Sequence, residues 1–239
     1  MSRARTLLAG WLLAVVVIVL FGVAGVWQSR RAVEKQAMLD AAAQVVAARD
    51  AVPLAAAADP ARRRAYDWSS GEGSFDARGP LWLDNQQRGG RPGVRAYRLF
   101  VPESGAPLLV DLGWLPLPGN RALPAITRPP GRVAVRGLLA PPPSTGLALG
   151  RGVASQGEGW LLTRIDTAAL APALGLSVPL APRVLRLDPA LPLGYDRDLE
   201  LLANTLPPEK HRGYTLQWFS LALAVFVTAL ILTFRRPRP

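Results

Sequence analysis

Two long stretches without a charged side chain, one near each end, limit what this chain can become. The C-terminal stretch follows His211-Arg212 and covers residues 213–234, where Tyr214 is the one titratable side chain. At ~1.5 Å of rise per residue, a helix of that length crosses a hydrocarbon layer of roughly 30 Å. Arg235, Arg236 and Arg238 close it on one side, while Tyr214, Trp218 and Phe219 gather on the other, an aromatic belt opposite a basic stop. The second stretch, residues 7–26, follows Arg3 and Arg5, with Trp11 near its start and Trp27 just past its end. A cleaved secretory signal is the alternative there, with Gly22 and Ala24 as the small residues before a cut. Its apolar run of ~20 residues is longer than the roughly 7–15 of a signal core.

Two spans place both tails on one side of a membrane, and the arginine-rich tails mark that side as cytoplasmic. The intervening segment is longer than the ~60 residues over which loop charge sets orientation, so its own charges carry little weight. It is expected to face outward, into the periplasm of a Gram-negative inner membrane. The sequence then divides into a cytoplasmic tail (1–6), a first transmembrane helix (7–26), a juxtamembrane helix (27–50) and a β-rich extracytoplasmic domain (51–209). An interfacial segment with the second transmembrane helix (210–234) and a cytoplasmic basic tail (235–239) complete it. The expected fold class is an α+β membrane protein, two terminal transmembrane helices flanking a β-rich domain. Abundant Ala, Arg, Gly and Pro suggest a bacterial source.

The net charge of +11 invites comparison with nucleic-acid binders, but position argues otherwise. Five arginines and no acid lie in the two tails, leaving 23 basic against 17 acidic residues elsewhere. No basic run with interleaved aromatics marks a nucleic-acid face; anionic lipid headgroups account for the tails. The absence of cysteine excludes a disulfide framework, thiolate metal sites, covalent haem attachment and thiol catalysis.

Between the spans, Trp27, Arg31, Lys35 and Leu39 recur every four residues and share one face of a helix expected to reach about Arg49, with Arg30 and Glu34 as an i,i+4 pair. From residue 65 the texture becomes that of a β-domain, short Val-, Leu-, Tyr- and Trp-rich segments punctuated by Gly and Pro. Strands are expected at 65–75, 81–84, 94–101, 108–115, 133–139, 159–165, 184–187 and 199–204. A short helix at 168–174 is capped by Asp166 or Thr167 and stopped by Gly175.

Signals for catalysis are poor. A histidine-based nucleophile needs His211, the single histidine, which stands at the mouth of the second span far from any serine elbow. Gly150-Arg151-Gly152 and Gly157-Glu158-Gly159 lack phosphate-loop spacing and read as loops. Asp196, Asp198 and Glu200 would share one face of a strand, but Arg197 among them and the missing EF-hand glycine favour a charged turn over a cation site. His211, Tyr214 and Trp218 fall at i, i+3 and i+7 of a helix. The stripe reads either as a haem-ligating imidazole beside a flat aromatic surface, or as an interfacial histidine with two belt aromatics. Both readings stay open on the residues alone.

The motifs also resemble those of a known family. Gly25-x-Trp27-Gln28-x-x-Arg31-x-x-x-Lys35-x-x-x-Leu39 looks like the opening motif of the Surfeit locus protein 1 family. Leu83-Asp84-Asn85-Gln86 with Pro92-Gly93, and then Val110 to Pro116 with Gly113-Trp114 at its centre, is similar to the family's middle segment. Gly131-Arg132-Val133-Ala134-Val135-Arg136-Gly137 resembles its next strand, and His211-x-x-Tyr214-x-x-x-Trp218-Phe219 its closing motif. The chain departs from the family pattern where Val94-Arg95-Ala96-Tyr97 stands for a more usual Tyr-His pair and Asp111-Leu112 for a commoner Asn-Arg. The resemblance implies a non-enzymatic, chaperone-class factor of the respiratory chain that helps build haem–copper (cytochrome c) oxidase. Its implied work is to insert haem a into subunit I or to stabilise the receiving site. Subunit I, a haem a synthase and the lipid bilayer are the implied partners. On this resemblance His211, Tyr214, Trp218 and Arg212 form a haem a site, with Lys210 beside Arg212, and Trp27, Gln28, Arg31, Lys35, Gly113 and Trp114 are the family-motif positions. A structural scaffold for the oxidase that never touches haem is the competing reading.

Overall fold

With no proline before Pro53, the N-terminal residues wind into one continuous helix, α1 (Arg3–Ala48). A computed structural model describes residues 3–143, 152–201 and 206–235. The chain separates into two compact units, Met1–Asp40 with Thr205–Pro239, and Ala41–Asn204. α1 runs without a break through what the sequence divides into tail, span and juxtamembrane helix, and ends one residue short of Arg49. Glu34 pairs with Arg31 at 3.0 Å rather than with Arg30.

The second unit is built on a nine-stranded mixed sheet: β1 (Ala51–Pro53), β2 (Asp67–Phe75), β3 (Leu81–Arg88), β4 (Arg91–Pro102), β5 (Leu108–Pro116), β6 (Arg132–Ala140), β7 (Val153–Gln156), β8 (Gly159–Leu162) and β9 (Val184–Leu187). Between β8 and β9 lies α2 (Thr167–Ala173), where Asp166 accepts from the N–H groups of Ala168 and Ala169 at 3.1 Å and Gly175 follows the C-terminus. The first unit carries α3 (Pro208–Phe234), with Pro208 at its first turn, where a missing N–H costs nothing. α1 and α3 are long and apolar enough to cross a hydrocarbon layer, and almost none of their apolar windows is covered by protein.

Seven of the expected strands appear within the described residues. The eighth, 199–204, does not: Leu199, Glu200 and Leu201 are irregular, and 202–204 lie outside the described residues. β1 and β7 were not anticipated, being three and four residues long with no hydrophobic alternation. Gly157 and Glu158 form the turn between β7 and β8, whereas Gly150 and Arg151, like Arg236 and Arg238 of the tail, fall outside the described residues.

The sheet runs β1-β2-β6-β9-β5-β4-β3-β8-β7, and β2 also pairs with β4 through Gly73↔Pro102, Ser74↔Val101 and Phe75↔Phe100. That extra pairing closes β2, β6, β9, β5 and β4 into a ring, leaving β3, β8 and β7 as an extension from β4. Side-chain alternation then sorts two cores. Phe75, Ala96, Phe100, Val110, Leu112 and Leu187 lie in the ring's cluster. The alternate positions Tyr97, Leu99, Leu109 and Val184 face the other way and pack with Leu81, Leu162 and α2 Leu170. A third cluster seats Ala42 of α1 against Trp68 and Leu138.

On that outward face lies a buried ionic group. Asp111 of β5, 2% exposed, accepts from Arg95 Nη1 of β4 at 2.6 Å and from the Gly113 N–H at 3.0 Å. Arg186 of β9 stands 3.6 Å from the same carboxylate, and the Tyr97 hydroxyl donates to it at 3.5 Å. Burial opposes the charge on Arg95, but Asp111 overcomes it and the guanidinium is held more firmly protonated than usual. Burial, reinforced by Arg95, pushes the Arg186 guanidinium down. A second knot joins fully buried Arg183 to Asp67, which Arg62 also engages. Burial raises the Asp67 carboxyl, yet hydrogen bonds from Arg183 and Arg62 leave it below the ordinary carboxylate range.

Removing one partner of such a pair strands the rest. Asp111→Asn is expected to cost about 3–5 kcal/mol of stability in denaturant titrations, against little change for substitution of exposed Arg132. The depressed Asp67, and Asp76 held down by its hydrogen bond from Arg78, contribute stability that is present above the unfolded carboxyl value of about 3.9 and is lost as pH falls below it. Thermal melting against pH is expected to drop on that acid limb, and to drop less in Asp67→Asn.

Candidate functional site

α1 and α3 run antiparallel, held by contacts spaced along their length. Trp11 Nε1 donates to Thr233 Oγ1 at 2.9 Å, with the Trp11 ring edge-on to Phe226 at 6.3 Å. Further along, Phe21 and Trp218 pack at 5.4 Å. At Gly25 the Phe219 ring comes so close that a Cβ would sit 3.0 Å from it. Beyond it, Gln28 meets His211, and Arg212 donates to Gln36 Oε1 at 3.3 Å. Lys35 donates to the Leu206 carbonyl that precedes α3.

The Gln28–His211 contact is the chemical centre of this pair. His211 is 6% exposed, and its Nδ1 lies 2.6 Å from Gln28 Oε1. An amide oxygen only accepts, so Nδ1 carries the proton, and in the neutral ring Nε2 keeps its lone pair. Nε2 is buried and has no hydrogen-bond partner among the described residues. The charges acting on the ring, Lys35 and Arg31, are both positive. An imidazole whose far nitrogen is fixed by a hydrogen bond while the near one stays unpaired is the arrangement found in metal-ligating histidines.

The other expected residues are placed less uniformly. Trp218 shares the α1-facing side with His211, and its ring is already packed on Phe21. Tyr214 is exposed, so the i, i+3, i+7 stripe divides between a packed and an open side. Arg212 is exposed at the rim, as is Trp27. Lys35 and Arg31 lie near His211 on α1, which turns the regular spacing of that face into a cationic rim around the imidazole. Gln28 as the partner of His211 is invisible in the sequence, since 183 positions separate them.

Gly113 and Trp114 belong to the other unit and form a site of their own kind. Gly113 has φ +118, and a Cβ there would lie 2.8 Å from the Asp196 carbonyl. The Trp114 N–H donates to that carbonyl at 2.7 Å, and its indole N–H reaches the Gln86 carbonyl at 3.2 Å. The middle motifs thus meet around one tryptophan, and the departures at Arg95, Tyr97 and Asp111 meet in one ionic cluster beside it. Asp196, Asp198 and Glu200 form no strand face, only a single bridge from Asp196 to Trp114. Arg88 pairs with Asp196 at 3.2 Å and Asp198 at 3.0 Å, and no group of three metal-type side chains occurs among the described residues.

Helix pairing is open to a direct test in this cysteine-free chain. Trp11→Cys with Thr233→Cys is expected to be linked by a short bis-maleimide, because the native side chains touch. Adding Gly25→Leu drives a side chain into the Phe219 ring and is expected to lower the yield several-fold, while Gly10→Leu, with nothing within 4 Å, leaves it unchanged.

No individual curated protein matches the sequence closely. The sequence model of the SURF1 family, Surfeit locus protein 1, matches residues 15–223, from within the first apolar stretch to within the second. That match takes in the Gln28–His211 pair and the Trp114 knot alike. The chain therefore belongs to the SURF1 family, whose members are cytochrome oxidase assembly factors rather than enzymes.

Proposed function

We propose that this protein is anchored in a bacterial inner membrane by α1 and α3, and assists the delivery of haem a to subunit I of a haem–copper oxidase. The apolar surfaces of both helices are left bare by the rest of the protein, and lipid is the solvent that suits them. Arginines at both chain ends favour cytoplasmic tails and a periplasmic domain. The observation that carries the haem reading is the unpaired, buried Nε2 of His211, oriented by Gln28.

In this account haem a is cargo. His211 supplies a neutral nitrogen for the iron, and Gln28 holds the ring in the tautomer that offers it. Arg212 and Lys210, at the start of α3, suit the propionates by charge. Because Nε2 is covered, the helices must part slightly for the cargo to enter, and the packed Phe21–Trp218 pair offers a flat aromatic surface further along the same seam. The long apolar tail of haem a remains in lipid. Subunit I and a haem a synthase are the partners on either side of this hand-over.

Purification from cells that make haem a tests the assignment. The wild type is expected to retain haem, His211→Ala to lose it, and Gln28→Ala to retain about tenfold less or lower. Equal haem retention by His211→Ala removes the imidazole from the account. Subunit I co-purifying with every variant, with no haem spectrum in any, favours a scaffold without haem contact.

A further inference from the structure

The domain of Ala41–Asn204 carries a cleft of about 610 Å³ whose lining includes Pro80, Trp82, Arg98, Ile126, Arg128 and Glu158. Its floor is unusual in charge. Arg98 lies on the same side of β4 as Ala96 and Phe100, an otherwise apolar, ring-facing row. It is 6% exposed and makes no ion pair among the described residues. Its Nη2 donates to the Ile126 carbonyl at 2.7 Å, while its Nε is buried without an acceptor. Burial, helped by Arg128, pushes its guanidinium down, which marks a cation short of counter-charge.

The surroundings do not correct that shortage. Arg121 lines the cleft too, but Asp84 neutralises it at 3.1 Å. Arg128 is exposed at the rim and forms no ion pair among the described residues. Glu158, on the β7–β8 turn, is the one acid in the lining. Trp82, largely buried, contributes to the lining while its indole N–H is spent on the Pro124 carbonyl at 2.8 Å. Arg98 and Arg128 therefore share a trough whose lining holds one carboxylate, Glu158, while Asp76, already bound by Arg78, also acts on Arg128. A buried cation left without its counter-charge is costly unless an anion arrives.

We infer that this cleft is a docking site for a partner polypeptide that lays an acidic side chain between Arg98 and Arg128 and an aliphatic neighbour against Trp82 and Pro80. Charge complementarity selects a carboxylate, whose two oxygens match the planar donors of guanidinium. The site opens to solvent along the exposed turn at Gln156-Gly157, which suits an extended chain rather than an enclosed small molecule. The inference stands apart from the haem reading and survives its failure.

Fluorescence anisotropy with the full chain in detergent tests it. The probes are labelled hexapeptides, Gly-Leu-Glu-Leu-Gly-Gly amide and its counterpart with glutamine in place of glutamate. The wild type is expected to prefer the glutamate peptide by about tenfold or more, the worth of a charge-assisted bond. Arg128→Glu, an exposed substitution that leaves the fold intact, is expected to abolish the preference, and Arg128→Lys to keep most of it. Arg98→Met is expected to abolish it as well. Equal binding of the two peptides, no binding of either, or a preference that survives Arg128→Glu overturns the inference and leaves Arg98 as a tie to the Ile126 carbonyl.

Discussion

One hydrogen bond, between His211 Nδ1 and Gln28 Oε1 at 2.6 Å, gives the helix pair its chemical character. Besides polar links from Trp11 to Thr233 and from Arg212 to Gln36, ring packing joins α1 and α3: Trp11 on Phe226, Phe21 on Trp218, Phe219 over Gly25. The ring contacts are apolar and tolerant of sliding. The polar bond is directional, so it fixes register and ring orientation together. It also decides which nitrogen of the ring is spent and which is kept. With Nδ1 bonded to Gln28, Nε2 is left buried and without a hydrogen-bond partner among the described residues.

The domain of Ala41–Asn204 solves a different problem. Closing β2, β6, β9, β5 and β4 into a ring gives the interior to aliphatic and aromatic side chains and turns the alternate positions outward. Several of those outward positions are charged and still buried, among them Arg95, Asp111 and Arg186. Such clusters contribute little net stability compared with apolar packing, but losing any one member is expensive. They set which strands lie together, since only β4, β5 and β9 in this order bring the carboxylate between the two guanidinium groups. The middle family motifs fall at this junction, where Trp114 links Gln86, β5 and the 195–196 segment.

Much of this was legible in the residues. Two charge-free stretches announced the long apolar helices, and alternating Val and Leu bounded by Gly and Pro announced the strands. Asp166 and Gly175 delimited α2 by capping chemistry alone. What escaped was non-local. The segment 199–204 carried the composition of a strand, but its described residues are irregular, and the Leu199 carbonyl and that of neighbouring Asp198 accept from Arg186 at 3.5 Å. β1 and β7 are too short to carry a period. Arg95 and Asp111 drew notice as departures from the family pattern, yet nothing in the sequence pairs positions sixteen residues apart across a hairpin. The His211 site was half legible: the histidine was conspicuous, and its partner was not.

The single histidine makes the central claim measurable on one residue. With the protein labelled with ¹⁵N-histidine and reconstituted in lipid, the imidazole nitrogens give one pair of resonances. Under mildly alkaline conditions the account predicts a protonated Nδ1 and a lone-pair-bearing Nε2, with the tautomer disturbed in Gln28→Ala. An imidazole that exchanges freely between tautomers, or one protonated at Nε2 whether or not Gln28 is present, would contradict it.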